Sequence, residues 1–181
     1  KIYGPKGTGF LYVRQGTLIL PIVHGGGQEN GIRSGTENIP GIAGLAKALN
    51  LVQNDRLKES NRLFKLSDYA IKKIHQKISK VIINSPNINR LPNIINLTFK
   101  GVEGEALMFY LDSYGICVST SSACSTGTTE ASHVLLGIGR SFKEAKRSIR
   151  ISLGRFTTKN EINYLIKILP GIVKQLRKVN S

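Results

Sequence analysis

The chain has no tryptophan, a single methionine and two cysteines in 181 residues, and aromatic side chains make up only 7% of it. Two cysteines, Cys117 and Cys124, are too few for a disulfide framework, and neither sits in a CxxC or Cys/His spacing that would hold zinc. A reducing, cytoplasmic setting is therefore expected. No apolar run approaches the roughly 20 residues that a membrane-spanning helix needs, and no basic-then-apolar leader opens the sequence. Acidic residues are also scarce. Eleven stand against 26 lysines and arginines, a net charge of +15. That excess raises a polyanionic partner such as RNA. With so few aromatics there is no stacking array for bases, though, and the lysines at 58, 65, 72, 73, 77 and 80 fall on what read as solvated helix faces. A noncatalytic basic RNA-binding module is thus an alternative with charge but no motif behind it.

What is present is enough apolar sequence, 40%, for a globular core. A glycine-rich turn over Gly4–Gly9 is followed by apolar runs at Phe10–Val13 and Leu18–Val23, which read as strands. A polar, glycine-rich loop then runs from His24 to Asn38. Asn38 as cap and Pro40 in the first turn start a helix predicted to bury Ile42, Leu45, Ala46, Leu49 and Val52, and to continue with breaks to about Ser79. Strands are expected at 81–83, 94–99, 116–118 and 149–153, with a short helix at 103–111. Two capping-box spacings, Ser141/Glu144 and Thr158/Glu161, open further helices. The last should bury Ile162, Leu165, Ile166, Leu169, Ile172, Val173 and Leu176, and be kinked by Pro170. From residue 80 onward the mixture is α+β.

Three places carry chemistry. Cys124 lies in Ser119–Thr129, a stretch of hydroxyls with no large apolar side chain. A cysteine there reads as an accessible nucleophile, against the commoner fate of a buried thiol. Cys117, between Ile116 and Val118, reads as that structural case. Arg155 follows a strand by one glycine, where a guanidinium could clamp a carboxylate through two parallel hydrogen bonds or simply face water. Thr36, in Arg33-Ser34-Gly35-Thr36-Glu37-Asn38, leads into a helix start and could join its amides around a phosphate, although capping alone accounts for the spacing. Gly4-Pro5-Lys6-Gly7-Thr8-Gly9 is not a nucleotide loop, because Gly7 stands where serine or threonine is needed and a strand is expected where a helix should begin. His24, His75 and His133 have no mutual spacing that suggests a ligand set or triad.

Taken together, Lys1-Ile2-Tyr3-Gly4-Pro5-Lys6-Gly7, His24-Gly25-Gly26-Gly27-Gln28-Glu29, Arg33–Asn38, Ser121-Ser122-Ala123-Cys124-Ser125 and Ser152-Leu153-Gly154-Arg155-Phe156-Thr157 resemble, in order, the motifs of NifS-like cysteine desulfurases of the class V aminotransferase fold. The resemblance spans nearly the whole chain and implies an α/β, fold-type I transferase dependent on pyridoxal 5'-phosphate. Residues 1–38 would be the C-terminal edge of the large cofactor-binding domain, 39–80 linker helices, and 81–181 a small α+β domain carrying the catalytic-cysteine loop. By the same resemblance Lys1 is the lysine joined to the cofactor, Cys124 the residue that takes sulfur from L-cysteine as a persulfide, and Arg155 the carboxylate grip. Thr36 would reach the cofactor phosphate of the second subunit of a homodimer. The implied products are L-alanine and sulfur, passed to an acceptor protein for iron–sulfur clusters or tRNA thiolation, with no direct contact to nucleic acid. A selenocysteine lyase, or another class V enzyme, is the alternative within the fold. Because the sequence opens on Lys1 and lacks the family's upstream motifs, it is expected to be the C-terminal half of a longer polypeptide and inactive alone.

Overall fold

The computed structural model describes residues 1–86, 88–120 and 131–179. The chain divides into two units, Lys1–Arg56 and Leu57–Ser181, with the boundary inside helix α1 (Ile39–Lys77). This is one 39-residue helix, where breaks were expected. From Leu45 to Lys77 the sequence contains neither glycine nor proline, so nothing in it interrupts the hydrogen-bond ladder.

In Lys1–Arg56 the backbone is mostly turn and loop before α1. The Asn38 side chain caps the helix as expected, its Oδ1 accepting from the Gly41 amide at 3.1 Å. The buried face differs from the expected one. Ile42, Ala46 and Leu49 are exposed, Leu45 and Val52 are half-buried, and the most covered positions are Gly41 and Ala48. The reason is steric. The turn of residues 4–8 lies directly on the small residues of the helix, so that a Cβ on Gly44 would stand 2.6 Å from Pro5 Cγ and one on Gly41 would run into Thr8 Cγ2. Backbone proximity, not a stripe of large side chains, selects the face.

The strands expected at 10–13 and 18–23 do not form. Phe10, Leu11, Tyr12, Leu18, Leu20 and Ile22 are all at least 75% exposed. A β-strand is made by its neighbours, and among the described residues the segment makes a single bridge, Val23 to Arg33. Without a partner for the others, β-propensity alone gives no strand.

In Leu57–Ser181 a four-stranded antiparallel sheet has the order β1-β2-β4-β3, built from β1 (Val81–Ile83), β2 (Ile94–Phe99), β3 (Ser119–Thr120) and β4 (Ser148–Ser152). The register pairs Ile95 with Ile151 and Leu97 with Ile149, which puts the alternating apolar residues of β2 and β4 side by side. Against them pack the C-terminal half of α1 (Leu63, Ala70, Ile74) with Ile78 just after it, α2 (Gly104–Asp112) through Leu107 and Leu111, and α5 (Lys159–Val179). All seven α5 residues expected in the core are there, and the helix runs as one element through Pro170. Both capping boxes are formed, Ser141/Glu144 opening α4 (Phe142–Lys146) and Thr158/Glu161 opening α5. The short helix α3 (His133–Gly137), capped by Ser132, was not foreseen.

The other face of the sheet is polar yet partly closed off. Asn84 Nδ2 donates to Asn96 Oδ1 and Thr98 Oγ1, both at 2.8 Å. Thr98 and Ser148 meet at 2.7 Å, and Ser148 donates to the Glu144 carbonyl. Thr98 and Ser148 are fully buried, each satisfied through this chain of bonds. Among the described residues, no helix is long and apolar enough to cross a membrane.

Two expectations around the third strand are corrected. β3 is Ser119–Thr120, not 116–118, because the chain is still closing α2 at that point: Gly115 takes a φ of +72° and the Ile116 amide donates back to Leu111 O. Cys117, expected in a packed strand, is consequently exposed.

Candidate functional site

The residues singled out from the sequence fall in both units. In Lys1–Arg56, Lys1 is exposed and stands three residues before the turn that α1 holds at Gly41 and Gly44. Thr8 Oγ1 closes that turn on the Pro5 carbonyl at 2.8 Å.

The loop from His24 to Asn38 is organised by Ser34, which is 8% exposed. Its hydroxyl donates to Gly26 O at 2.8 Å and its amide to Val23 O. The next amide, that of Gly35, donates to Gln28 Oε1 at 3.2 Å. Gly25-Gly26-Gly27-Gln28 and Arg33-Ser34-Gly35 are thereby tied together by bonds that span seven and eight residues. Gly35 must be glycine, because its φ is +114° and Arg33 Nη1 lies 2.7 Å from where a Cβ would be. Thr36 follows immediately, exposed.

The helix start next to Thr36 has little left to offer an anion. Ile39 N–H donates to Glu37 O, Pro40 has no N–H, Gly41 N–H is taken by the Asn38 side chain and Ile42 N–H by the Asn38 carbonyl. The capping reading of this segment is therefore the one the hydrogen bonds bear out. A phosphate here would have the Thr36 hydroxyl but none of the amides that were expected to join it. His24, His75 and His133 are all exposed.

In Leu57–Ser181, Arg155 sits in the turn between β4 and α5, half-buried. The turn is closed on itself by Gly154 N–H to Thr157 Oγ1 at 2.8 Å and Thr157 N–H to Gly154 O at 3.0 Å. Three of its carbonyls accept from one side chain that sequence reasoning missed. Arg62 on α1 donates to the carbonyls of Gly154 (3.1 Å), Arg155 (3.0 Å) and Thr157 (2.7 Å). It also grips both carboxylate oxygens of Glu59, at 2.7 and 2.8 Å. The hydrogen bond from Arg62 holds the Glu59 carboxyl below its ordinary pKa, against partial burial and with smaller help from the charges of Arg62 and Arg155. Sequence alone offered one signal, the i,i+3 spacing of Glu59 and Arg62, which usually marks nothing more than a solvated helix pair.

Cys124 lies outside the described residues. Its loop follows β3, which pairs antiparallel with β4 through Ser119 to Arg150 and Thr120 to Ile149. β3 therefore runs toward the Ser148 end of β4, whereas Arg155 follows the opposite end. Elsewhere in this unit a groove of about 440 Å³ gathers Lys77, Lys174, Arg177 and Lys178, but neither Arg155 nor Arg62 lines it.

Comparison with known proteins matches residues 1–165 to the family model described as aminotransferase class-V. A protein of Dictyoglomus turgidum named cysteine desulfurase IscS is 48% identical over 180 residues, 99% of this chain and 46% of that protein. A solved structure titled NifS-like protein superposes with a TM-score of 0.86 at 34% identity, covering 96% of this chain and 44% of the other. A third, titled SspA in complex with cysteine, reaches 0.60 at 33% identity over 87% of this chain and 42% of its own. The chain thus spans about half the length of the relatives it matches.

Proposed function

The chain belongs to the class-V aminotransferase family, and from that premise we propose that it forms part of a pyridoxal-phosphate-dependent cysteine desulfurase. The observation that carries the proposal is the 48% identity, over 99% of the chain, to a protein named as such. The donor set suits one portion of a cofactor site. Lys1 offers an exposed primary amine beside a turn braced on α1, and Thr36 an exposed hydroxyl on a loop tied down by Ser34. With the helix-start amides already spent, most contacts to the phosphate come from elsewhere in the assembled enzyme, including the part of its relatives' length that this chain does not span. When bound, the cofactor supplies an electron sink for carbanion chemistry at the α-carbon of an amino acid.

Each residue then has a task. Lys1 anchors the cofactor through its amine and afterwards holds or passes a proton at that nitrogen. Arg155 binds the substrate carboxylate by two parallel hydrogen bonds and so orients the sulfur. The Cys124 thiolate attacks the sulfur of L-cysteine. An S–S bond forms, the substrate Cβ–S bond breaks with its electron pair going to the carbon skeleton, and protonation there gives L-alanine and a persulfide on Cys124. Position 124 is four residues from Thr120, a reach of at most about 14 Å. Its hydroxyl-rich sequence is suited to carrying sulfur from a substrate to an outside acceptor.

Thr36 acts across a homodimer, on the cofactor held by the other subunit. The enzyme is cytoplasmic, and its sulfur serves iron–sulfur cluster assembly or tRNA thiolation through an acceptor protein. The complete polypeptide carrying these residues tests the reading. It should release alanine from L-cysteine and lose sulfur transfer on Cys124→Ala, while Lys1→Ala should lose the cofactor's visible absorbance. Undiminished sulfur transfer by Cys124→Ala would remove Cys124 from the mechanism.

A further inference from the structure

Arg62 is an unusually committed side chain for one that lies a third exposed on a long helix. Among the described residues its guanidinium makes at least five hydrogen bonds, three of them to carbonyls of the turn Gly154–Thr157 and two to Glu59. The carbonyls of Gly154, Arg155 and Thr157 all accept from this one guanidinium. A lysine has no planar fork and cannot reproduce the set. Within the turn, the hydroxyl and amide of Thr157 close it locally. The same guanidinium engages both oxygens of the Glu59 carboxylate.

We propose that Arg62 is a positioning residue for substrate-carboxylate recognition: it staples the β4–α5 turn to α1 through the carbonyls of Gly154, Arg155 and Thr157, and so sets where Arg155 stands. The proposal rests on the reading of Arg155 as the carboxylate grip. Its ligand class is the α-carboxylate of the amino acid, so the effect is on binding and orientation more than on the sulfur chemistry.

The test uses the complete cofactor-loaded polypeptide with L-cysteine. Arg62→Ala is expected to raise KM about tenfold or more while kcat falls less than about threefold, with the cofactor's absorbance unchanged. Arg62→Lys, which preserves charge toward Glu59 but not the fork, is the variant that decides if Arg62→Ala fails to fold. It should raise KM at unaltered unfolding midpoint. A readout independent of turnover is hydrogen exchange, in which the amides of Gly154 and Thr157 should lose protection in both Arg62 variants. KM within about twofold of the parent in Arg62→Lys, or loss of kcat and stability together with KM unchanged, overturns the proposal. If the parent protein does not turn over L-cysteine, the assigned reaction fails instead, and the exchange experiment still decides whether Arg62 holds the turn.

Discussion

Gly104 opens α2, and replacing it by alanine separates two physical effects of opposite sign. On propensity alone, Gly→Ala in a helix is favourable by up to about 1 kcal/mol. The structure says otherwise. A Cβ at position 104 would lie 2.7 Å from the carbonyl oxygen of Lys146 and 2.8 Å from that of Ser148. Ordinary contact begins near 3.4 Å, so either α2 or the start of β4 must retreat by about 0.6–0.7 Å, and the atoms in the way are backbone, not flexible side-chain ends. Retreat on the β4 side is costly because Ser148 is paired with Thr98 and bonded to Thr98 and Glu144. Retreat on the α2 side pulls Leu107 and Leu111 from the core. Overpacking of this kind costs about 1–3 kcal/mol, which outweighs the propensity gain.

The internal control is Gly171 in α5, where nothing lies within 4 Å of an added Cβ. Gly171→Ala should stabilise by about 0.5–1 kcal/mol. Urea unfolding of the 181-residue chain followed by far-UV circular dichroism measures both. With the two variants compared side by side, Gly104→Ala must have the lower midpoint and Gly171→Ala the higher. A neutral or stabilising Gly104→Ala would show that the α2–β4 approach is not the constraint argued here.

The α5 capping box predicts a pH dependence. The Glu161 carboxyl is held below its ordinary pKa by the Thr158 backbone N–H and then by the Thr158 hydroxyl, so its contribution is present above the ordinary carboxylate range and is lost as pH falls through the lowered value. Glu161→Gln should flatten that part of the stability–pH curve in acid titrations, and an unchanged acid limb would refute the assignment. Asn38→Ala removes the side-chain cap of α1 and should cost about 0.5–2 kcal/mol, read as loss of amide protection at Gly41 and its neighbours in hydrogen exchange.

What could be read from the sequence was whatever depends on local chemistry. The two capping boxes, the Asn38 cap, the alternation of Ile95, Leu97 and Phe99 and the stripe of α5 all need only neighbours within a turn or a strand, and all are present. The expected strands at 10–13 and 18–23 failed because pairing is non-local, and the helix face at 41–52 was misassigned because small residues admit a backbone that a hydrophobic pattern cannot announce. Of the candidate site, Lys1, Thr36 and Arg155 were legible as motif positions. Arg62 was not, since it acts on carbonyls more than ninety residues away, and a carbonyl carries no residue-type signature.

The bare apolar side chains between Phe10 and Ile22 set the terms on which the isolated polypeptide can be handled. Mostly exposed and rich in β-branched and aromatic groups, they mark a segment that a matching strand could pair with, and in a concentrated solution the most abundant matching strand belongs to another copy. The opposing force is the +15 net charge, which keeps copies apart only over the distance that ions leave unscreened, about 10 Å at 0.1 M salt. Colloidal behaviour in this molecule is accordingly a contest between one short stretch of the first unit and the lysines of the whole chain, decided by ionic strength and not by the well-packed core of the second.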